Sequence, residues 1–493
     1  MSVQPTLESG GRAQMSEIQF HNTLSGRTEP FVPLVPSAVS IYTCGPTVYD
    51  FAHIGNFRTF VFQDVLRRYL KSRGFRVVQV MNLTDVDDRI IQKSAAAGVS
   101  IRDYTDKYIQ AFLDDRRALN LEPPEHLARA TEHIEDMVAL IQRLTAKGFT
   151  YTSEGSTYFR ISKFPAYGKL SKIDVAGMQA GARVDMDRYD KDNVRDFALW
   201  KAPKPGEHFW ETAIGPGRPG WHIECSAMAM KYLGETLDIH SGGVDLTFPH
   251  HENEIAESEG ATGKPFVRYW LHAEHLLVDH EKMSKSVGNF ATLRELFSHG
   301  QKPSSVRFLL ASVPYRRQLN FTPESLQGAA GSVDRLRTFV ARLATGKFPA
   351  GASPAMAARA AKAREEFDES LSDDLNTAQA LAAIFDLVRD VNIAIDRGEF
   401  LEGDAAPVMG VLESFDAIFA VLLDDDAEKL RALGFGKDSA GPSDAEIDAL
   451  VAERQAARKR RDFAASDRIR DQLAAQGILL EDSRDGGVRW KRK

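Results

Sequence analysis

Cysteine is almost absent, with only Cys44 and Cys225 among 493 residues. So small a number excludes a disulfide framework and points to a reducing, cytoplasmic setting. Long apolar runs are missing too. No stretch approaches the ~18 residues of a membrane span, and the amino terminus has no basic start followed by an apolar segment. Neither a membrane association nor a signal peptide is expected, and residues 1–18 read as a loose tail with Met15 as a candidate second start. No G-x-x-x-x-G-K-[ST] occurs, which argues against a P-loop ATPase. His251-Glu252 is followed by Ile255 where H-E-x-x-H requires its second histidine, so a zincin-type protease is excluded.

What remains is an ordinary globular composition, 43% hydrophobic and 27% charged, in a chain long enough for about three domains at ~150 residues each. Charge is unevenly spread. Residues 451–493 hold 12 Lys and Arg against 7 Asp and Glu, whereas the whole chain has 62 against 69. An acidic body with a basic tail fits a polyanion that meets a limited surface; a solvated basic helix is the plain alternative.

Val39-Ser40-Ile41-Tyr42-Thr43 is a β-branched run ending in Cys44-Gly45-Pro46, a strand entering a tight turn. After His53-Ile54-Gly55-Asn56, Val61, Val65, Leu66, Tyr69 and Leu70 keep helical spacing up to Gly74, and Val77–Leu83 is a second apolar run. Strand, helix, strand is a βαβ unit, hence a parallel sheet with ligands at the strand carboxyl ends. Residues 126–215 lose this rhythm and read as an insertion. It resumes near Trp221, with a strand at Leu237–His240 before Ser241-Gly242-Gly243. Beyond residue 323 strands nearly vanish, and periodic stretches at 324–345, 355–371 and 376–397 predict helices. The expected fold class is α/β: a Rossmann-type parallel-sheet domain with an insertion, then an α-helical bundle and a small basic carboxyl-terminal unit.

The turn from Gly45 to Asn56 sets glycines, a proline and His53 before a helix amino terminus, where free N–H groups and the dipole favour phosphate. Alone, it also fits an ordinary tight turn. Lys282-Met283-Ser284-Lys285-Ser286 adds weight, because a given five-residue string has a chance probability of ~10⁻⁴ in such a chain. Two lysines three apart beside serine hydroxyls make a cationic clamp for a polyphosphate. Together these motifs resemble the HIGH and KMSKS sequences of class I aminoacyl-tRNA synthetases. Four segments, Tyr42–Asp50, Asn82–Asp88, Gly220–Ser226 and Phe248–Glu254, are similar to signatures of the cysteinyl-tRNA synthetase family within that class. The resemblance runs from about residue 18 to the carboxyl terminus, with Asn56 standing where HIGH ends in histidine.

That resemblance implies ATP-dependent activation of L-cysteine, with magnesium on the ATP, and transfer to the 3′ end of tRNA(Cys) by a monomer. It implies catalytic roles for His53, Asn56, Lys282 and Lys285. It assigns ATP contacts to Gly45, Pro46, His53, Gly55, Asn56, Gly243, Asp245 and Lys285, and a cysteine pocket to Thr84, Trp221 and His240. It divides the chain into catalytic halves at 19–125 and 216–275, the connective insertion 126–215, a KMSKS and stem-contact region 276–323, a tRNA-binding bundle 324–423, a linker 424–443, and an anticodon-region-binding unit 444–493.

A metal can be argued from the residues as well. His250 and Glu254 stand four apart and share a helix face, and with Cys44 and Cys225 they form a soft donor set suited to zinc. Two buried cysteines and a helix cap are the plain alternative. The resemblance implies one zinc per chain on these four, reading the substrate sulfur. In the tail, Arg454, Arg458, Lys459, Arg460 and Arg461 suit a phosphate backbone, while Trp490 either stacks on an unpaired base or caps a small core. Two rivals stand beside this reading: the cysteine ligase of mycothiol synthesis, which has no use for such a carboxyl-terminal third, and a non-catalytic tRNA- or zinc-binding protein derived from a synthetase.

Overall fold

The computed structural model describes residues 16–173, 196–283, 289, 291–423, 425–435, 444–460, 462–475, 478–482 and 488–492. They fall into two compact units, Met1–Asp426 and Ala427–Lys493. Five parallel strands form the centre of the first: β1 (Ala38–Thr43), β2 (Arg76–Leu83), β3 (His126–Arg129), β4 (Leu237–Gly243) and β5 (Val267–Ala273). Their order is β5-β4-β1-β2-β3. The chain moves outward from β1 through β2 to β3, then returns to the opposite side of β1 for β4 and β5. Consecutive connections therefore diverge between β1 and β4, the place where such sheets open a ligand crevice at the strand carboxyl ends. Pairing of Ile41, Tyr42 and Thr43 with Ile239, His240 and Ser241 sets the register there.

Helices cover the sheet: α1 (Ile54–Ser72), α2 (Ile134–Ala146), α3 (Trp221–Leu233) and α4 (Glu252–Thr262). β3 and α2 lie inside the stretch expected to be an insertion. β3 has only 4 residues, too short for a readable period of two, yet it pairs with β2 from Val80↔His126 to Leu83↔Arg129. α2 buries Ile134, Met137, Val138, Ile141 and Leu144 at helical spacing. An antiparallel sheet of Thr150–Ser153, Ser156–Phe159, Phe197–Lys201 and Arg218–Pro219 follows; residues 174–195 lie outside the described residues.

The helical part comprises α5 (Pro303–Ser312), α6 (Pro323–Thr345), α7 (Pro354–Ser372), α8 (Thr377–Asp396) and α9 (Ala405–Phe419). Three of these, α6 to α8, match the expected periodic stretches; none of those stretches marks α5 or α9. α6 buries Leu326, Ala329, Val333, Leu336, Phe339 and Leu343, one face at steps of three and four. Thr322, Ser353 and Asn376 cap the amino ends of α6, α7 and α8 with their side chains.

Two buried arginines join this part to α1. Arg58 of α1 donates to the carbonyls of Leu310, Val313 and Pro314 at the end of α5, the last two at 2.9 Å. These are orphan acceptors that the helix cannot satisfy itself. Arg307 of α5 is fully buried; it pairs with Asp64 of α1 at 2.6 Å and donates to the carbonyls of Leu119 and Phe419 at 2.8 and 2.5 Å. Burial pushes the Asp64 carboxyl up, but Arg307, Arg68 and the Glu122 N–H outweigh it and hold the group below the usual carboxylate range.

In the second unit, helices Asp444–Lys459 and Phe463–Ala475 and the hairpin Ile478–Asp482/Val488–Arg492 enclose Ile447, Val451, Ile469, Leu473 and Ile478. Trp490 packs on this core and its Nε1 donates to Asp448 at 2.8 Å, so it serves the core. Arg454, expected among the phosphate-facing cations, is buried, whereas Arg458, Lys459 and Arg460 are exposed. Arg461 and residues 424 and 436–443 of the expected linker lie outside the described residues, whereas Asp426–Ala432, expected within that linker, forms a helix.

Arg307→Met should destabilise the first unit by about 3–5 kcal/mol, because it removes the buried partner of the Asp64 charge, leaving it only Arg68 and the Glu122 N–H, and deprives the Leu119 and Phe419 carbonyls of their donor. A depressed carboxyl contributes stability that is present above its unfolded value and is lost as pH falls through the folded one. The difference between variant and wild type should thus shrink below about pH 4. Denaturant melts at neutral and acid pH check this; a difference that does not vary with pH removes the Asp64 charge as its origin.

Candidate active site and metal cluster

Above the divergence of β1 and β4 lies a cavity of about 400 Å³. Its walls include Cys44, Gly45, Pro46, His53, Gly55, Asn56, Trp221, Gly243, Asp245 and Met283. Gly45 is forced by contact: its N–H donates to Asn82 Oδ1 at 2.8 Å, and a Cβ there would lie 1.9 Å from the Asn82 carbonyl oxygen. The turn then delivers His53 to the N-cap of α1. His53 Nδ1 accepts from the Asn56 N–H and Asn56 Oδ1 accepts from the His53 N–H, each at 3.2 Å, a reciprocal capping box. Asn56 thereby holds the turn that leads from the cavity wall into α1.

The lysine-bearing segment meets this turn from the other side. The Ile54 N–H donates to the Ala291 carbonyl at 3.0 Å, His53 bridges to Thr292, and Met283 sits against Gly55. Lys282 belongs to the short strand Glu281–Lys282, paired with Leu276–Val278. Lys285 lies outside the described residues.

Behind the cavity is a buried polar cluster. Cys44, His250, His251 and Glu254 bring one potential ligand atom each within 4.8 Å of one another. Glu254 faces His250 Nε2 at 3.0 Å with one oxygen and His240 Nε2 at 2.8 Å with the other. His251 Nε2 lies 3.4 Å from the Cys44 sulfur, and its Nδ1 lies 2.8 Å from His272. Cys225, one helical turn into α3, lies against Cys44 and Tyr42 and is fully buried. Burial drives the cluster towards neutrality: Glu254 is pushed up to about 8, His240 and His250 down to about 3, and both thiols upward. The Glu254 oxygen that faces His250, Oε1, makes only that close contact and accepts no hydrogen bond. An unsatisfied carboxylate oxygen, neutral imidazoles and two thiols are the donor set of a soft divalent cation, so the residues fit a bound metal.

Comparisons decide the family. The tRNA synthetases class I (C) catalytic domain matches residues 30–331, the DALR domain residues 366–423, and the cysteinyl-tRNA ligase anticodon binding domain residues 442–490. The cysteine–tRNA ligases of Solibacter usitatus and Koribacter versatilis are 57% and 56% identical, each over 97% of this chain and 100% of its own length. The chain belongs to the cysteine–tRNA ligase family. Methionyl-tRNA synthetase from Mycobacterium tuberculosis, solved in complex with methionyl-adenylate, has a similar fold, with a TM-score of 0.55 at 17% identity over 87% of this chain and 96% of that one.

For a synthetase of this family the described geometry sorts the expected residues into two layers. Gly45, Pro46, His53, Gly55, Asn56, Trp221, Gly243 and Asp245 reach the cavity wall; of the metal candidates only Cys44 does. Thr84 and His240, expected in the cysteine pocket, lie behind it. Thr84 donates to Glu224 at 3.0 Å, and His240 stacks on Trp270 while it holds Glu254. Trp221 stacks on His250 with ring centres 4.3 Å apart and so stands between that histidine and the cavity, while Cys44 still reaches the wall. Sequence reasoning missed His251 and Glu224. Each adjoins a chosen residue, and no spacing rule tells which of two neighbours turns inward at an irregular helix start.

Asn56→Ala should lower stability by ~1 kcal/mol through loss of one arm of the capping box, while Asn56→Asp, which keeps the acceptor, should not. Denaturant melts of the two variants decide it: an alanine variant as stable as wild type means that the box does not hold the turn.

Proposed function

We propose that the chain activates L-cysteine with ATP and transfers it to the 3′ end of tRNA(Cys). One observation carries this reading: Cys44, the first residue beyond β1, belongs both to the cavity wall and to the metal cluster. A small thiol substrate and a nucleotide can meet there.

In the first step the cysteine carboxylate oxygen attacks the α-phosphorus of ATP and pyrophosphate leaves. Gly45, Pro46, His53, Gly55 and Asn56, on the cavity wall at the start of α1, cradle the phosphates, magnesium accompanies them, and Gly243 and Asp245 lie near the adenosine. Lys282 and Lys285 oppose the charge that grows on the leaving pyrophosphate. In the second step a terminal hydroxyl of the tRNA attacks the adenylate carbonyl and AMP leaves. Positioning and charge stabilisation carry both steps.

Cys44, Cys225, His250 and Glu254 would hold one zinc, with His251 orienting Cys44. Bound there, the ion supplies a soft positive charge that favours a thiolate over a hydroxyl, the chemistry that separates cysteine from serine. His240 aims Glu254, and Trp221 keeps water from His250.

Support against an amino-sugar ligase comes from the carboxyl-terminal third, with its DALR and anticodon-binding matches. The decisive assay is cysteine-dependent ATP–pyrophosphate exchange followed by charging of total tRNA. Exchange without any charged tRNA would return the amino-sugar ligase; no exchange would return the non-catalytic reading. Removal of residues 444–493 should leave exchange nearly intact and weaken charging, with a smaller salt dependence. Undiminished charging at low tRNA concentration would show that this unit does not bind RNA. Elemental analysis tests the ligand set: Cys225→Ser should lose the zinc and His251→Gln should keep it. Full zinc in the serine variant removes Cys225 from the set.

A further inference from the structure

The cavity mouth beside the helix Asp88–Ala97 has a chemistry that neither adenylate formation nor the metal cluster uses. Tyr49, Phe51 and Arg89 line it. The Arg89 guanidinium carbon lies 4.1 Å from the centre of the Tyr49 ring, and the Lys93 ammonium lies 5.0 Å from the same centre. Tyr49 is held in place through its carbonyl, which accepts from the Tyr104 hydroxyl at 3.0 Å and from Lys93 at 3.4 Å. Beside it, Phe51 packs edge-on against Tyr108 at 5.3 Å, and the Lys107 ammonium lies 5.3 Å from the Tyr108 ring centre.

Acidic groups are present as well. Asp87 takes the Arg89 Nε at 2.9 Å and Asp50 lies 3.7 Å from Lys93, yet the two basic side chains stay 57% and 43% exposed. A guanidinium backed by an aromatic ring and open to solvent is a stacking platform, and neighbouring cations suit phosphates. That combination grips single-stranded nucleic acid with little demand on sequence.

We propose that this ledge seats the unpaired 3′ end of the tRNA, with one base on the Arg89 guanidinium and the backbone beside Lys93 and Lys107. The inference rests on the function proposed above. A cavity of about 400 Å³ accepts a small ligand but no duplex. The acceptor strand must therefore enter it unpaired, and it passes over a rim.

The test separates the two steps of the reaction in the full chain. Arg89→Ala should raise the KM for tRNA in charging about tenfold, as loss of one stacked base does, and leave cysteine-dependent ATP–pyrophosphate exchange unchanged. Arg89→Lys keeps the charge but not the planar platform, so it should recover only part of the loss. A tRNA shortened by its unpaired 3′ nucleotides should compete more weakly than intact tRNA for the wild type, and equally well for Arg89→Ala. An unaltered KM in Arg89→Ala overturns the ledge, complete rescue by lysine overturns stacking, and a parallel fall in exchange moves Arg89 to the adenylate site. Failure of the wild type to charge any tRNA overturns the functional reading instead.

Discussion

The parallel pairing of β1 with β4 is the constraint on which the rest depends. It joins Thr43 to Ser241 across almost two hundred positions of chain, and the Cys44 N–H extends the pairing to the Ser241 carbonyl at 3.2 Å. Because connections leave the two strands in opposite directions, nothing fills the space beyond their carboxyl ends. The α1 turn enters from one side and the start of α4 from the other. Cavity and cluster are two levels of this one opening.

The cluster sits where burial opposes charge. His240, His250, His251 and Glu254 are fully buried, and without a counter-ion burial holds each near neutrality. A dication reverses that preference, since thiolate and carboxylate then gain from a low dielectric rather than suffer from it. Trp221 and Trp270 keep the surroundings dry by stacking on His250 and His240. A soft donor set and the exclusion of water thus come from the same packing.

Helix α1 carries two duties along its length. Its amino end is fixed by the His53–Asn56 box at the cavity, and its middle is fixed by Arg58, Asp64 and Arg307 against α5 and the carboxyl end of α9. Buried guanidiniums are acceptable there because backbone carbonyls as well as a carboxylate surround them. The turn at the cavity and the helical region are parts of one packed body as a result.

Much of this was legible from residues alone. Periods of 3.6 marked α1, and α6, α7 and α8 within a residue or two, and apolar runs marked β1, β2 and β4, because a one-sided or fully buried element writes its environment into the spacing of its apolar residues. Motif strings named the chemistry. Short β3 carried too few residues to show a period, and α2, although periodic, was hidden by irregular text on both sides. Which neighbours turn inward was decided only in three dimensions. His251 joined the cluster, Glu224 met Thr84, Arg454 was buried, and Asn56 became a cap, because each outcome depends on the direction of a side chain against residues distant in sequence. Sequence by itself determined the elements and the family's chemistry; tertiary structure decided which polar groups face one another, since burial and hydrogen bonding are properties of pairs that local order does not contain.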